Sequence, residues 1–434
     1  MIKDKKDKKI TVLGFGKSGA SSARRLAQLN NKVIVSESKG DESFDPELIS
    51  DLQGMGVLFE FGGHSLSSIS DSDLIIISPG IHLDIPIVVD AKKRNIPVIS
   101  EIELAYRFLS KPIIAVTGTN GKTTTTTLIG EFLKAAGKNI AIAGNIGRPL
   151  VEVDDKNLDF IVVELSSYQL ETILTFRPWI AAILNLTEDH LERHKSMDEY
   201  ALCKSRIFMN QRKTDFIIYN ADDPRVVNLL PKAEAKLIPF SKRNAFIKKD
   251  EMLIPGDHNL ENALAAAQIA LIAGVKIKVI KEVLSTFKGV EHRIELFTEK
   301  KGVKYYNDSK ATNPDSTVVA LKSLDEGKRN VILIAGGRDK GGDLTNLAKM
   351  IKASVKKAIL IGEAAERFGK ALKEHNFQDI IFASSFEEAV NISYSLAQNN
   401  EKVVLSPACA SFDMFKNFEE RGIQFKKLVN SLPQ

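Results

Sequence analysis

Residues 112–123 of this chain are laid out to hold a phosphate. Pro112-Ile113-Ile114-Ala115-Val116 is an apolar run, Thr117-Gly118-Thr119-Asn120-Gly121 a short polar loop, and Lys122-Thr123 opens a segment that can be helical. A strand, a loop of backbone N–H groups and a helix N-terminus in that order form an anion site. Lys122 would reach the β- and γ-phosphates of a nucleotide, and the Thr123 hydroxyl suits Mg²⁺. Gly118, Thr119, Asn120, Gly121 and Thr124 complete the candidate loop. The usual pattern G-x-x-x-x-G-K-[ST] would place a glycine at position 116, where Val116 stands; here the first glycine is Gly118. A glycine-bearing strand–helix turn with an exposed lysine would also fit this stretch.

A second group could hold a metal. Asp159-Phe160-Ile161-Val162-Val163-Glu164 reads as a strand buried on both faces, with an acid at its tip. That tip faces the crevice where parallel sheets bind ligands. Glu164 is thus a candidate Mg²⁺ ligand, or else an acid capping the next turn. Leu186-Thr187-Glu188-Asp189-His190 also follows a strand. His190 could bind metal or be a satisfied structural histidine. Lys204 lies on an expected helix over 197–209, where a lysine is ordinarily just solvated. Gly144-Asn145-Ile146-Gly147 is a further loop at a strand end.

The elements that must position these groups alternate strand and helix, which implies mostly parallel sheets. Over residues 10–100, strands are expected at 10–13, 32–35 and 73–77. Gly14-Phe15-Gly16-Lys17-Ser18-Gly19 satisfies G-x-G-x-x-G, with Glu37 about 20 residues on. This offers a helix N-terminus to a pyrophosphate, which a UDP diphosphate could use as well as NAD. Strands at 112–116, 139–143, 159–164 and 180–185 define a nucleotide unit. Strands at 303–306, 330–334, 358–361 and 402–405 define a third. Three of their loops, 307–314, 336–342 and 406–413, are expected at one sheet edge. The threonine run 123–127 is poorly suited to a helix start by propensity, and hydroxyls facing phosphates would explain it.

The 434 residues suit two to four domains, and 44% hydrophobic content supports sizeable cores. The net charge of +5 is mild and spread along the chain, so nucleic-acid binding is not implied. Two cysteines, Cys203 and Cys409, lack metal-ligand spacing and suit a reducing compartment. No apolar run approaches the roughly 20 residues a membrane helix needs. A cytoplasmic protein without membrane partners is expected.

Thr117-Gly118-Thr119-Asn120-Gly121-Lys122-Thr123 resembles the ATP loop of the Mur ligases and folylpolyglutamate synthases, which share the late glycine. Asn307-Asp308-Ser309-Lys310-Ala311-Thr312-Asn313 and Ser406-Pro407-Ala408-Cys409-Ala410-Ser411, followed by Phe412 to Phe418, point to the Mur ligases. The resemblance spans all but the lysine-rich residues 1–8. It implies an α/β fold of three domains: a Rossmann-like N-terminal domain (1–100) for the UDP substrate, a central P-loop ATPase-like domain with a mostly parallel sheet (101–294) for ATP, and a Rossmann-like C-terminal domain (295–434) for the amino acid. It also implies a monomer of cytoplasmic peptidoglycan synthesis, with ATP, UDP-N-acetylmuramoyl-L-alanine and D-glutamate as its small-molecule substrates.

Residue by residue, the resemblance assigns Lys122 and Thr123 to the phosphates and a first Mg²⁺, and Glu164 and His190 to a second. Lys204 falls where the family carries a carbamylated lysine. Asn145 falls near the transferring phosphate and acyl group. Asn262, Arg293 and Asp308 match adenine, phosphate and ribose contacts. Thr312, Lys340 and Ser411, with the Phe418 backbone, match a D-glutamate site. Lys17, Ser18, Ser38, Lys39 and Gly80 match the UDP loops. Three competing functions fit parts of this pattern. A nicotinamide dehydrogenase would use the Gly14–Gly19 loop but leave Lys122 and Glu164 without a role. A ligase for another amino acid would share the ATP chemistry, though the run Ser309 to Asn313 argues against it. A non-catalytic nucleotide-binding protein would have no use for the set Lys122, Glu164, His190 and Lys204.

Overall fold

The computed structural model describes residues 7–188, 191–254, 256–339, 341 and 343–433. The chain forms two compact units, one of Met1–Lys248 with Glu261–Val283, the other of Lys249–Leu260 with Leu284–Gln434.

The first unit holds two parallel sheets. One contains β1 (Lys9–Leu13), β2 (Lys32–Ser36), β3 (Leu58–Glu60), β4 (Leu74–Ile77) and β5 (Val98–Ser100), in the order β3-β2-β1-β4-β5. The other contains β6 (Ile113–Thr117), β7 (Ile140–Gly144), β8 (Phe160–Glu164), β9 (Ile180–Ile183), β10 (Phe216–Asn220) and β11 (Lys236–Phe240), in the order β11-β10-β9-β6-β8-β7. β6 is central because it can be: all five of its side chains are buried. Such a strand needs cover on both faces, which the flanking helices of a parallel sheet supply.

The second unit is built on β12 (Glu295–Lys300), β13 (Val303–Asn307), β14 (Val331–Gly336), β15 (Val355–Ile361), β16 (Ile380–Phe382) and β17 (Lys402–Leu405). Their order is β12-β13-β17-β14-β15-β16. β12 runs antiparallel to β13, and the other pairs are parallel. The core lies on both faces, with Leu333, Leu360 and Val404 on one and Ile332, Ile359 and Val403 on the other.

Two expectations change. The helix expected over 197–209 is α only from Met197 to Ser205 and tightens to a 3₁₀ turn over Arg206–Phe208. The threonine run is mostly core: Thr124, Thr125 and Thr126 are buried in the helix Lys122–Ala135, and the Thr125 hydroxyl donates to Asn262 at 3.4 Å. Only the first turn of a helix can face an anion at its N-terminus, so Thr125 and Thr126 lie beyond its reach, whereas Thr123 and Thr124 do not.

Candidate active site

The phosphate loop is built by backbone geometry. Gly121 caps the helix Lys122–Ala135 with φ +82°, a left-handed conformation that costs glycine little. A Cβ there would also clash with Asn262 Oδ1, so Asn262 packs directly on the turn. The first N–H groups of the helix have no acceptor within it, which suits them to phosphate oxygens. Two loop N–H groups serve the protein instead: Thr119 N donates to Asn185 O at 3.0 Å and Asn120 N to Asn185 Oδ1 at 2.8 Å. The loop is thus fastened to the segment after β9.

Cations converge on this loop. Lys122 Nζ donates to Gly118 O and Thr119 O at 3.0 and 2.7 Å. Lys204, 1% exposed, donates to the same Gly118 carbonyl at 2.8 Å and lies over the Tyr200 ring. The Tyr200 hydroxyl lies 3.2 Å from Thr119 Oγ1. Lys204 is therefore not a solvated helix lysine.

β8 places Glu164 beside Val116 of β6 and Gly144 of β7. The Glu164 carboxylate is buried. Oε1 accepts from Asn145 Nδ2 at 2.7 Å, while Oε2 has no hydrogen-bond partner among the described residues. A buried carboxylate oxygen without a donor is costly unless a cation uses it. Carboxylate and hydroxyl oxygens, here Glu164 Oε2 and the buried Thr123 hydroxyl, are the type of donor that Mg²⁺ takes. His190 lies outside the described residues.

Just beyond it, Arg193 grips Glu171 through both nitrogens, at 3.0 and 2.6 Å, and donates to Ile81 O at 2.8 Å. This ties the segment after His190 to the turn at the end of β4, which carries Gly80. Sequence reading gave no sign of this clamp, because an Arg-His pair on a short helix looks like surface.

In the first sheet, exposed Lys17 and half-buried Ser18 open the helix Lys17–Gln28. Ser38 and Lys39 follow β2, and Gly80 lies exposed after β4. These loops gather at one edge because β2, β1 and β4 are adjacent. Glu37 joins two of them. Its carboxylate accepts from Phe15 N at 2.7 Å, Lys39 N at 3.0 Å and Ser38 Oγ at 3.1 Å. Burial opposes its ionisation, but these donors outweigh that and hold the carboxyl below its ordinary range. The acid of the G-x-G-x-x-G pattern is thus committed to protein donors.

In the second unit, the loops after β13, β14 and β17 do meet at one edge. Arg338 N donates to Ala410 O at 2.9 Å and Gly336 N to Pro407 O at 2.8 Å. Asp308 is buried, and its two oxygens accept from Ile294 N at 3.1 Å and Ser406 Oγ at 2.7 Å. Burial pushes its carboxyl up to about 7, against the pull of Ser406 and Arg293. Arg293 stands between two residues with positive φ, His292 at +63° and Ile294 at +47°. That is strained backbone for a β-branched residue, and the Asp308 bond to Ile294 N helps to hold it. Asp308 thus braces the turn that carries Arg293.

Thr312 is half-buried and Ser411 buried at that edge, and Phe418 opens the helix Phe418–Ser431. Lys340 lies outside the described residues. Its neighbour Asp339 is held by Arg367 at 2.6 and 2.7 Å. Sequence reading missed the group that joins these loops. Arg421, 1% exposed, donates to Ser309 Oγ and O at 3.0 and 2.8 Å, to Cys409 O at 3.1 and 3.2 Å, and to Ala410 O at 3.3 Å. Ser309 Oγ in turn donates to Phe418 O at 2.8 Å.

Three family models match the chain in sequence order: the Mur ligase MurD-like N-terminal domain over residues 8–100, the Mur ligase middle domain over 116–252, and the Mur ligase glutamate ligase domain over 292–409. The chain is 43% identical to the UDP-N-acetylmuramoylalanine--D-glutamate ligase of Caldanaerobacter subterraneus subsp. tengcongensis, over 98% of this chain and 99% of that one. It is 42% identical to the ligase of the same name from Clostridioides difficile, over 99% and 100%. Among solved structures it resembles MurC from Thermotoga maritima (TM-score 0.60, 21% identity, 98% and 99% covered) and MurF from Acinetobacter baumannii (TM-score 0.62, 18% identity, 97% and 93% covered). The chain belongs to the Mur ligase family and has its three-domain α/β architecture. Within that family it is of the MurD type, as the full-length relatives and the MurD-like first domain both show.

Proposed function

We propose that this chain is an ATP-dependent ligase that joins D-glutamate to UDP-N-acetylmuramoyl-L-alanine in the synthesis of peptidoglycan precursors. The observation that carries the reading is the single cluster of Lys122, Lys204, Glu164 and Asn145 around one phosphate loop, in a chain at least 42% identical over its length to ligases of that name.

A carboxylate is a poor electrophile. ATP phosphorylates the alanyl carboxylate to an acyl phosphate and leaves as ADP, the neutral D-glutamate amine attacks the acyl carbon, and the tetrahedral adduct loses a proton and collapses to the amide and phosphate. The first step brings two anions together, so the chain must gather positive charge there. Lys122 and the helix N-terminus bind the phosphates, and Asn262 and Arg293 contact adenine and phosphate. Asp308 braces Arg293 and is the candidate ribose contact. Asn145 orients the acyl group while holding Glu164. Thr123, Glu164, His190 and a carbamylated Lys204 would hold two Mg²⁺ ions, which neutralise phosphate charge when bound.

Lys17, Ser18, Ser38, Lys39 and Gly80 take the UDP moiety, in a domain over residues 1–100. ATP binds the domain over 101–294. Thr312, Lys340, Ser411 and the Phe418 backbone take D-glutamate, in a domain over 295–434. A monomer acting on soluble nucleotide-sugar substrates in the cytoplasm fits this reading.

The test is phosphate release from ATP and UDP-N-acetylmuramoyl-L-alanine with each amino acid as the sole variable. D-glutamate is expected to support turnover. Equal turnover with L-glutamate, or a preference for another amino acid, would overturn the assignment.

A further inference from the structure

The central sheet carries a second cleft, at the end opposite the phosphate loop. It is an open cleft of about 590 Å³ that lies against the starts of β6, β8, β9 and β10. The phosphate loop follows the other end of β6, a strand length of roughly 16 Å away.

Tyr106, Phe160 and Trp179 form its aromatic walls. Trp179, the one tryptophan of the chain, stacks on Phe160 with ring centres 5.7 Å apart and an interplanar angle of 13°. Its other neighbour is the Phe216 ring, met edge-on at 6.0 Å. No hydrogen-bond partner of the Trp179 indole N–H is found among the described residues.

The cations of the lining are unequal. Arg177 is paired with Asp215, at 2.7 and 3.0 Å, and Arg107 with Glu103 at 3.2 Å. Among the described residues, the Lys111 ammonium has no such counter-ion. Lys111 is thus the lining cation without a side-chain ion pair among the described residues, beside the aromatic side chains and with the Asp155 carboxylate on its backbone N–H.

The walls are also fixed before anything binds. Glu103 accepts from the N–H groups of Leu174, Thr175 and Phe176 at 2.9–3.0 Å. Asp155 accepts from Ser110 N at 2.6 Å and Lys111 N at 3.0 Å. A preformed cleft of this size that sets aromatic side chains beside charged groups has the ingredients of a small-molecule site.

We propose that this cleft is a second ligand site, separate from the ligase centre, for a planar aromatic monocarboxylate. The ring lies against Trp179 and Phe160, and the carboxylate meets Lys111. One cation without a side-chain ion pair, among Arg107–Glu103, Arg177–Asp215 and the nearby Asp155, suits a single carboxylate rather than a polyphosphate. Because residues 106–112 connect β5 to β6, a bound ligand touches the link between the two sheets of this unit.

The test is isothermal titration of the full chain, saturated with ADP, using 2-naphthoate as probe and 2-naphthamide and 2-naphthylmethylamine as comparators. The acid is expected to bind about tenfold or more tightly than the neutral amide, and the amine not at all. Lys111→Ala should reduce 2-naphthoate to the level of the amide while leaving ADP affinity unchanged. Trp179→Leu should weaken the acid and the amide alike; if that variant does not fold, the half-buried Lys111 still decides the matter. Absence of 2-naphthoate binding at millimolar concentration, binding indifferent to Lys111→Ala, or binding abolished by ADP would each overturn the proposal.

Discussion

Lys122 and Lys204 donate to one acceptor, the carbonyl of Gly118, at 3.0 and 2.8 Å. Two ammonium groups so close repel each other, and Lys204 is buried as well. Conversion of the Lys204 amine to a carbamate would replace a like charge beside Lys122 with an opposite one. It would also give Mg²⁺ the anionic oxygen it prefers.

If Lys204 works as a carbamate, stripping bicarbonate should lower turnover, and adding it back should restore it. Lys204→Ala should be nearly inactive and partly rescued by a short carboxylic acid such as formate or acetate. Intact-mass data showing an unmodified amine in fully active protein would refute this.

Lys122→Ala should cost roughly 10³-fold or more in turnover, because a preorganised cation on the transferring phosphoryl group is a leading contribution. The fold should persist, since the loop is also fastened through Thr119 N and Asn120 N to Asn185. Circular dichroism and phosphate release on the same sample would check both halves. A folded variant with near-normal rates would remove Lys122 from the mechanism.

The pH dependence of stability should show the buried Glu101. One of its oxygens accepts from Val151 N at 2.6 Å and the other has no hydrogen-bond partner among the described residues. Burial, with Glu152 adding to it, pushes the carboxyl from 4.5 up to about 7. The fold favours the neutral acid, so the unfolded chain ionises first as pH rises. Stability should fall between about pH 4.5 and 7 and stay lowered above, by up to about 3 kcal/mol from this group. Glu101→Gln should therefore raise the melting temperature at pH 8 and change it little at pH 4.5. An equal effect at both pH values would mean that the acid does not titrate in this window.

Arg421 should prove irreplaceable by lysine. Its planar fork reaches carbonyls on two loops at once, which a point ammonium cannot do. Arg421→Lys should raise the KM for D-glutamate about tenfold or more, with ATP affinity little changed, because the loops it joins carry Thr312 and Ser411. Steady-state kinetics with each substrate varied in turn would test this. Unchanged KM values would make Arg421 a purely structural group.

The contrast between Lys122 and Arg421 marks what the sequence made legible. Lys122, Glu164 and Asp308 stand at or just beyond the tips of apolar runs, so strand topology alone carries them to the C-terminal edges of their sheets. Arg421 sits inside a helix, at a position whose burial depends on carbonyls more than ten residues away in the chain, and no local pattern encodes that. Arg193 was hidden for the same reason, since its partners are Glu171 and Ile81 O. β3, β5 and β16 are three residues long, too short for alternation to appear. The threonine run misled in its second half, where Thr125 and Thr126 are buried beyond the first turn and the Thr125 hydroxyl is spent on Asn262.

The amino-acid site makes the last prediction. D-glutamate carries two carboxylates and one amine, and the amine must be neutral and free to attack. Both carboxylates must therefore be held elsewhere. Arg338 N, bonded to Ala410 O, and Asp339, gripped by Arg367, fix the chain just before Lys340. This anchors the start of the Lys340 loop to the loop that bears Ser411. A charged donor and two hydroxyls, from Thr312 and Ser411, can hold two carboxylates, each such bond contributing about 1.5–3 kcal/mol. With the amine trajectory they make three fixed points, enough to read chirality. Lys340→Ala should raise the KM for D-glutamate by roughly ten- to a hundredfold and leave ATP and UDP-substrate affinities nearly intact. L-glutamate should be a very poor substrate, because with both carboxylates held its amine would point away from the acyl phosphate. Phosphate release with the two enantiomers, in wild type and Lys340→Ala, measures both effects. A variant that loses ATP affinity along with D-glutamate would show that Lys340 belongs to the phosphate site instead.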